Sequence, residues 1–235
     1  MKIIVLSITP YKEKDAIIDA ISEEGDITFT AKGILDPKSK NAAINNLLSI
    51  ADIDLQDGNY KYPVLKSISN VENCMKLDND LDYLSCLMLV AEATKSLLQD
   101  EDKEQIFNSL ISAVKAIKKA REPWAVTIAY IAKLLKIGGY ELEVNRCVFC
   151  GGIKNIVLFS FNDGGFVCQD CLEPDMTRDL NKSQMLLVRN AFNTKDIEDI
   201  SFTCTKEDAL VVLNKFFDFI VESFGTALKS AALIK

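Results

Sequence analysis

The spacing of apolar positions changes near residue 75, and that change divides the chain into two regimes. Before it, apolar runs are short: a β-branched run covers residues 3–8, and Ile27, Phe29 and Ala31 alternate with Thr28, Thr30 and Lys32. That period of two is the mark of a strand with one buried face. Gly25, Gly33 and Gly58 fall where turns are needed, and residues 47–55 and 60–68 predict two further strands. Residues 15–22, with Ile17, Ile18 and Ile21, fit a strand or a short helix, and periodicity leaves both open. Four or five short strands in sequence predict a small β-barrel or sandwich.

Beyond residue 80 the spacing becomes three and four. Leu81, Leu84, Met88 and Ala91 line one helical face, Ile106, Leu110, Ala113, Val114 and Ile117 a second, and Trp124, Ile128, Ile131 and Leu135 a third. Pro123 suits a first helical turn, and Gly138 with Gly139 a stop. Two more helices are predicted after a cysteine-rich stretch, one over residues 183–192 and one along Leu210, Leu213, Phe217, Ile220 and Phe224. The fold class is therefore α+β, strands first and helices after.

Composition narrows the chemistry. The 235 residues hold 27 Lys+Arg, 34 Asp+Glu and no His, a formal net charge of −7, and 49% are hydrophobic, enough for a real core. Without His there is no Ser-His-Asp triad, no Cys-His pair and no His-ligated metal, so catalysis would need carboxylates, Lys or a bare metal. The longest charge-free stretches, residues 41–51 and 123–132, fall short of the ~18 apolar residues a membrane helix needs. The opening MKIIVLSITPY carries one Lys and no small-residue cleavage site, and it reads as a first strand. A cytoplasmic protein is expected, and seven Cys, four of them in tight pairs, suit a reducing compartment.

Those pairs carry the sharpest signal. Cys147-Val148-Phe149-Cys150 is followed, after 17 residues, by Cys168-Gln169-Asp170-Cys171. Each short knuckle places two sulfurs on one centre, so four thiolates can surround a zinc ion tetrahedrally, and a filled ligand set makes that ion structural. Gly151 and Gly152 allow a tight turn after the first knuckle, while residues 156–161 read as a strand and residues 162–165 as its turn, giving a zinc-ribbon-like hairpin. Disulfides, or four cysteines simply buried, are the plain alternative, and an iron–sulfur cluster is another. Cys74, Cys86 and Cys204 lie outside the pattern.

Positive charge is clustered despite the acidic total. Lys115, Lys118, Lys119, Arg121, Lys133 and Lys136 face a single nearby acid, Glu122, and the first three share a helical face opposite the apolar stripe. They form either a solvated face or a dock for phosphate or an acidic peptide. Lys12, Lys14, Lys32, Lys38 and Lys40 sit at predicted loops of the β region, with Glu13, Asp15 and Asp36 interleaved and Tyr11, Tyr60 and Tyr62 as aromatic neighbours. Loops of a small barrel can track a nucleic-acid backbone in this way.

In order and spacing, the pieces resemble the RecO family of bacterial recombination-mediator and DNA-repair proteins. The N-terminal matches are Val5-Leu6, Tyr11, Glu13, Asp15, Glu23-Glu24-Gly25, Ala31-Lys32-Gly33 and Lys38-Ser39. Downstream, Leu134-Leu135, Gly139-Tyr140, CVFCGG, FSFNDGGFVC and QDC match its zinc-bearing branch. The resemblance implies an OB-fold barrel over residues 1–76 and a helical domain over 77–235, with a zinc module at 145–173. It also implies a non-enzymatic role: binding single- and double-stranded DNA, annealing complementary strands, and, with RecR, helping RecA displace single-strand-binding protein. Lys12, Lys14, Lys32, Lys38, Lys40, Lys115, Lys118, Lys119 and Arg121 are then the candidate DNA contacts. Lys115, Lys118, Lys119, Arg121 and Lys133 are the candidate rim for the acidic tail of single-strand-binding protein.

Two departures from the family pattern stand out. Ile34, Leu35 and Asp36 occupy the place of a basic cluster, and Ile128-Ala129-Tyr130-Ile131 lacks the Arg that contacts the tail in some members. The competing reading is a zinc-ribbon interaction scaffold that does not touch DNA. A carboxylate hydrolase is disfavoured, since no pair of acids stands out and the metal has no open position.

Overall fold

A computed structural model describes residues 1–57, 61–74, 81–98, 102–120 and 123–234. Five strands, β1 (Lys2–Tyr11), β2 (Asp15–Ser22), β3 (Gly25–Ala31), β4 (Ile50–Gln56) and β5 (Val64–Glu72), close into a barrel in the order β1-β2-β3-β5-β4. Neighbours are antiparallel except β3 and β5, which meet in parallel at Thr30 and Val64. This is an OB-type barrel. Residues 15–22 resolve as a strand, with Ala16, Ile18 and Ala20 pointing into the barrel.

The continuous apolar run in β1 follows from burial on both faces. Ile3 and Val5 pack inside the barrel with Ile18, Phe29 and Ile53, while Ile4 and Leu6 face outward into the core of the helical body. A strand covered on both sides has no solvent face for polar residues to mark. The stretch 47–55 starts its strand later than predicted: Leu48 has φ 58°, its N–H donates to the Val5 carbonyl at 2.9 Å, and pairing begins at Ile50. Leu48 is apolar because it is buried in a turn. The strand predicted at 60–68 likewise begins at Val64, because Pro63 has no N–H for the ladder. Gly58 and Tyr60 lie outside the described residues.

Among the described residues five helices follow: α1 (Leu81–Leu97), α2 (Lys103–Lys119), α3 (Trp124–Ile137), α4 (Lys182–Asn193) and α5 (Lys206–Phe224). The face expected of α1 is corrected. Leu81 is 80% exposed and Met88 43%; of the expected face Ala91 is buried, beside a stripe of Tyr83, Leu87, Val90, Thr94 and Leu97. Both stripes have helical spacing, and polar bonds select between them: the Tyr83 hydroxyl donates to the Cys74 carbonyl at 2.9 Å, and the Thr94 and Tyr130 hydroxyls share a bond of 2.7 Å. Burial pushes the Tyr130 phenol up, against the bond from Thr94, so it stays protonated. α3 is the central helix, buried around most of its surface from Trp124 to Leu135.

The barrel is tied to α1 through Asp19. Its carboxylate accepts from Ser7 Oγ at 2.7 Å, from Thr28 Oγ1 at 2.8 Å and from Lys95 Nζ. Burial alone would raise its pKa, but the hydrogen bonds, led by Lys95, outweigh it and hold the carboxyl below the usual range. A depressed folded-state pKa contributes stability that is full above the unfolded value of 3.8 and is lost as pH falls through the folded one. Asp19→Asn should cost about 1–3 kcal/mol in urea unfolding at neutral pH, and the deficit should shrink on acidification.

Two strands after α3, β6 (Ile156–Ser160) and β7 (Gly165–Cys168), form a hairpin docked on α5 by aromatic packing. Phe161 stacks on Phe219 with centroids 4.4 Å apart, and Phe159 meets Phe161 edge-on at 4.9 Å. Among the described residues no helix is long and apolar enough to cross a membrane.

Candidate metal centre and basic surfaces

The hairpin brings the two cysteine pairs together. Cys147 and Cys150 lie on the approach to β6, Cys168 ends β7, and Cys171 ends the 3-10 turn Gln169–Cys171. Their four Sγ atoms lie within 4.8 Å of one another, and Cys150 Sγ is 3.7 Å from Cys168 Sγ. Two sulfurs bound tetrahedrally to zinc at about 2.3 Å lie about 3.8 Å apart, whereas a disulfide needs about 2.05 Å. The spacing suits a shared ion, and none of these four cysteines is joined in a disulfide.

The backbone is arranged to hold thiolates. Gly152 N–H donates to Cys150 Sγ and Cys168 N–H to Cys147 Sγ, each at 3.4 Å, and Gly151, at φ 71°, turns its N–H onto the Cys147 carbonyl at 2.9 Å. Burial opposes ionisation of Cys147, but donors from the backbone of Cys150, Cys168 and Phe149 prevail and bring its thiol down to about 6. Hydrogen bonding to Cys150 and Cys168 pushes Cys171 up to about 12. Crowded sulfurs share protons unequally, and a divalent cation supplies the charge that lets all four ionise. Donor type, spacing and N–H bonds therefore fit a closed four-sulfur site with no position left for water.

The barrel lysines are exposed and gathered on two joined loops. Lys12 and Lys14 lie between β1 and β2, Lys32 and Lys38 lie between β3 and the 3-10 turn Lys40–Ile44, and Lys40 opens that turn. Leu35 N–H donates to the Lys14 carbonyl at 3.0 Å and Gly33 N–H to Asp15 Oδ1 at 2.8 Å, so the loops form one surface. Lys14 is partly spent on Asp36, at 3.0 Å, and its hydrogen bond leads the causes that hold the Asp36 carboxyl below the usual range. Lys12 Nζ lies 5.1 Å from the ring centroid of exposed Tyr11. Ile34, where the family pattern is basic, is fully buried in the barrel core.

Sequence reading missed Lys61 at this surface. Thr30 N–H donates to the Pro63 carbonyl at 2.8 Å, which sets residues 61–63 beside the exit of β3, and Lys61 Nζ stands 5.0 Å from the Tyr62 ring. Only closure of β5 onto β3 reveals this neighbour.

The basic cluster on the helices is divided. Lys115 and Lys119 converge on Glu198, at 3.8 and 3.6 Å, while Lys118 stays exposed outside that group. Lys136 pairs with Glu141 at 3.7 Å, Lys133 opens into a separate cleft, and Arg121 lies outside the described residues. Beside Lys119 and Glu198 an apolar cleft of about 510 Å³ is walled by Val126, Ile200 and Phe202.

A closed OB-type barrel packed on a helical body that carries a four-cysteine hairpin defines the class of the protein. The family models described as Recombination protein O N terminal and Recombination protein O C terminal match residues 1–73 and 78–230, and the chain belongs to the RecO family. Among its relatives are the DNA repair protein RecO of Halalkalibacterium halodurans, 24% identical over 233 residues, and that of Bacillus subtilis, 25% identical over 233. Both alignments cover 97% of this chain and 90% of the relative. The protein of the same name from Caldicellulosiruptor bescii is 27% identical over 203 residues, 84% of this chain and 82% of its own.

Proposed function

We propose that the chain is a recombination mediator in DNA repair. It binds single- and double-stranded DNA, anneals complementary strands and, with RecR, assists RecA loading onto DNA coated by single-strand-binding protein. The observation that carries this reading is the joined lysine surface of an OB-type barrel, Lys12, Lys14, Lys32, Lys38 and Lys40, in a chain of the RecO family. The physical task is screening of two phosphate backbones with tolerant stacking, for which Tyr11 and Tyr62 are placed, and no bond chemistry is required. The work is non-enzymatic and cytoplasmic. Cys147, Cys150, Cys168 and Cys171 hold one structural zinc that fixes the hairpin on α5.

The tail of single-strand-binding protein is assigned to the apolar cleft beside Lys119, with Lys115 and Lys118 as the wider basic rim; of the other two expected rim residues, Lys133 lies in the separate cleft and Arg121 outside the described residues. An acidic segment with an aromatic end needs cations and an apolar slot together, and Phe202 and Val126 supply the second. Charge reversal at Lys118 and Lys119 should weaken binding of such a peptide about tenfold in a fluorescence assay, with unchanged binding returning that face to a solvated one.

The scaffold reading is favoured by the pairing of Lys14 with Asp36 and of Lys115 and Lys119 with Glu198, on a chain of net charge −7. A salt titration of single-stranded DNA binding separates the two. The mediator reading requires affinity at low salt and a negative log–log slope, shallower by about 2 in Lys32→Ala/Lys38→Ala/Lys40→Ala. Absence of binding at low salt leaves only the scaffold.

A further inference from the structure

Helix α2 carries a polar stripe that the barrel and tail readings leave unused. Asn108, Ser109 and Ser112 share one face away from its buried residues and open onto a cleft of about 320 Å³. Lys133 enters this cleft from α3 and Lys195 from the connection after α4. Among the described residues no hydrogen bond or ion pair engages the side chains of either lysine or of these three neutral residues. Their surroundings are otherwise committed: Lys115 and Lys119 share Glu198, and Lys136 pairs with Glu141. Asp196 also lines the cleft, but its Oδ1 caps the next 3-10 turn, accepting from Glu198 N–H at 2.9 Å.

Two free cations from separate elements, set opposite hydroxyl and amide donors, make a donor set for an oxyanion. Lys, Ser and Asn are side chains that contact nucleic-acid phosphates and fix the register of a strand without reading its bases. The cleft is mostly polar, with Ile197 on one wall, and so lacks the slot that an aromatic-ended peptide needs. We propose that this cleft holds a backbone phosphate of DNA, a contact on the helical body additional to the barrel surface. It rests on the DNA-binding reading above and extends it. Lys133 and Lys195 supply charge, and Asn108, Ser109 and Ser112 orient the non-bridging oxygens. A strand held at both places is immobilised along its length, which suits presenting it to a complementary one.

The test uses the full-length, metal-loaded protein and an oligothymidylate, titrated with KCl and followed by fluorescence anisotropy. Lys133→Gln/Lys195→Gln should weaken binding about tenfold at low salt and make the log–log slope shallower by about 0.7, the share of one phosphate contact. Lys195→Glu, a change at an exposed loop position, should weaken binding at least as much as Lys195→Gln. Unchanged affinity and slope, while Lys32→Ala/Lys38→Ala/Lys40→Ala loses binding, would overturn this cleft and leave the barrel reading standing. Loss of an acidic, Phe-ended peptide with DNA binding retained would overturn it in favour of a peptide site. Absence of DNA binding by the unaltered protein would overturn both readings.

Discussion

Cys168→Ser is expected to abolish metal binding and unfold the hairpin. The measured zinc should fall from one ion per chain to near zero, and the helical body should lose about 5 kcal/mol, because binding free energy at a structural zinc site is folding free energy. Cys168 is buried, its N–H holds Cys147 Sγ, and its sulfur lies 3.7 Å from that of Cys150, so serine removes a ligand at the point where both knuckles meet. The barrel core built on Ile3, Val5, Ile18 and Phe29 contains no hairpin residue, and its circular dichroism and amide-exchange protection should persist. Acid should act in the same direction, since protons compete with the metal for thiolates. A purified protein with no bound metal and unchanged stability in Cys168→Ser would show the four thiols to be ordinary buried side chains.

Gly165→Ala should be nearly as damaging, without touching a ligand. Gly165 sits at φ 149°, and a Cβ there would lie 2.1 Å from the Glu143 carbonyl oxygen. The Glu143 backbone cannot withdraw cheaply: its N–H donates to the Gly164 carbonyl and its carbonyl accepts from Phe166 N–H, both at 2.9 Å. Phe166 in turn accepts from Val148 N–H at 2.8 Å, so displacement reaches the first knuckle. Overpacking and backbone strain together should cost about 3–5 kcal/mol in denaturant unfolding and weaken metal retention against a chelator. A loss under about 1 kcal/mol would mean that the hairpin tolerates movement at its turn.

These two positions differ in how far the sequence reveals them. The cysteine module is legible because its ligands are paired within four residues, and the turn at 162–165 belongs to the same local pattern. The clash behind Gly165 is not legible, because Glu143 approaches it from beyond the first knuckle. Strands and helices follow from spacing wherever one face is buried. Spacing misplaces the face of α1, where apolar residues surround the helix and the choice falls to Tyr83 and Thr94, whose hydroxyls reach Cys74 and Tyr130 outside the helix.

The basic surfaces show the same limit. Lys115 and Lys119 read as part of a continuous positive patch until Glu198, far along the chain, is folded against them. Lys195 is invisible as a neighbour of Lys133 for the same reason, and Lys61 joins the barrel surface only through the β3–β5 contact. Ile34 departs from the family pattern because it fills the barrel core, a packing demand that a motif comparison does not contain. Net charge, read alone, points away from DNA, whereas its distribution supplies a barrel surface with exposed lysines.

Annealing of complementary strands coated with cognate single-strand-binding protein, measured with and without RecR, tests the mediator reading most directly. The metal-loaded protein should accelerate annealing of the coated strands, more weakly as salt rises, and Lys32→Ala/Lys38→Ala/Lys40→Ala should reduce the acceleration. A folded, metal-loaded protein that leaves the annealing rate unchanged at low salt, with RecR present or absent, would contradict that reading.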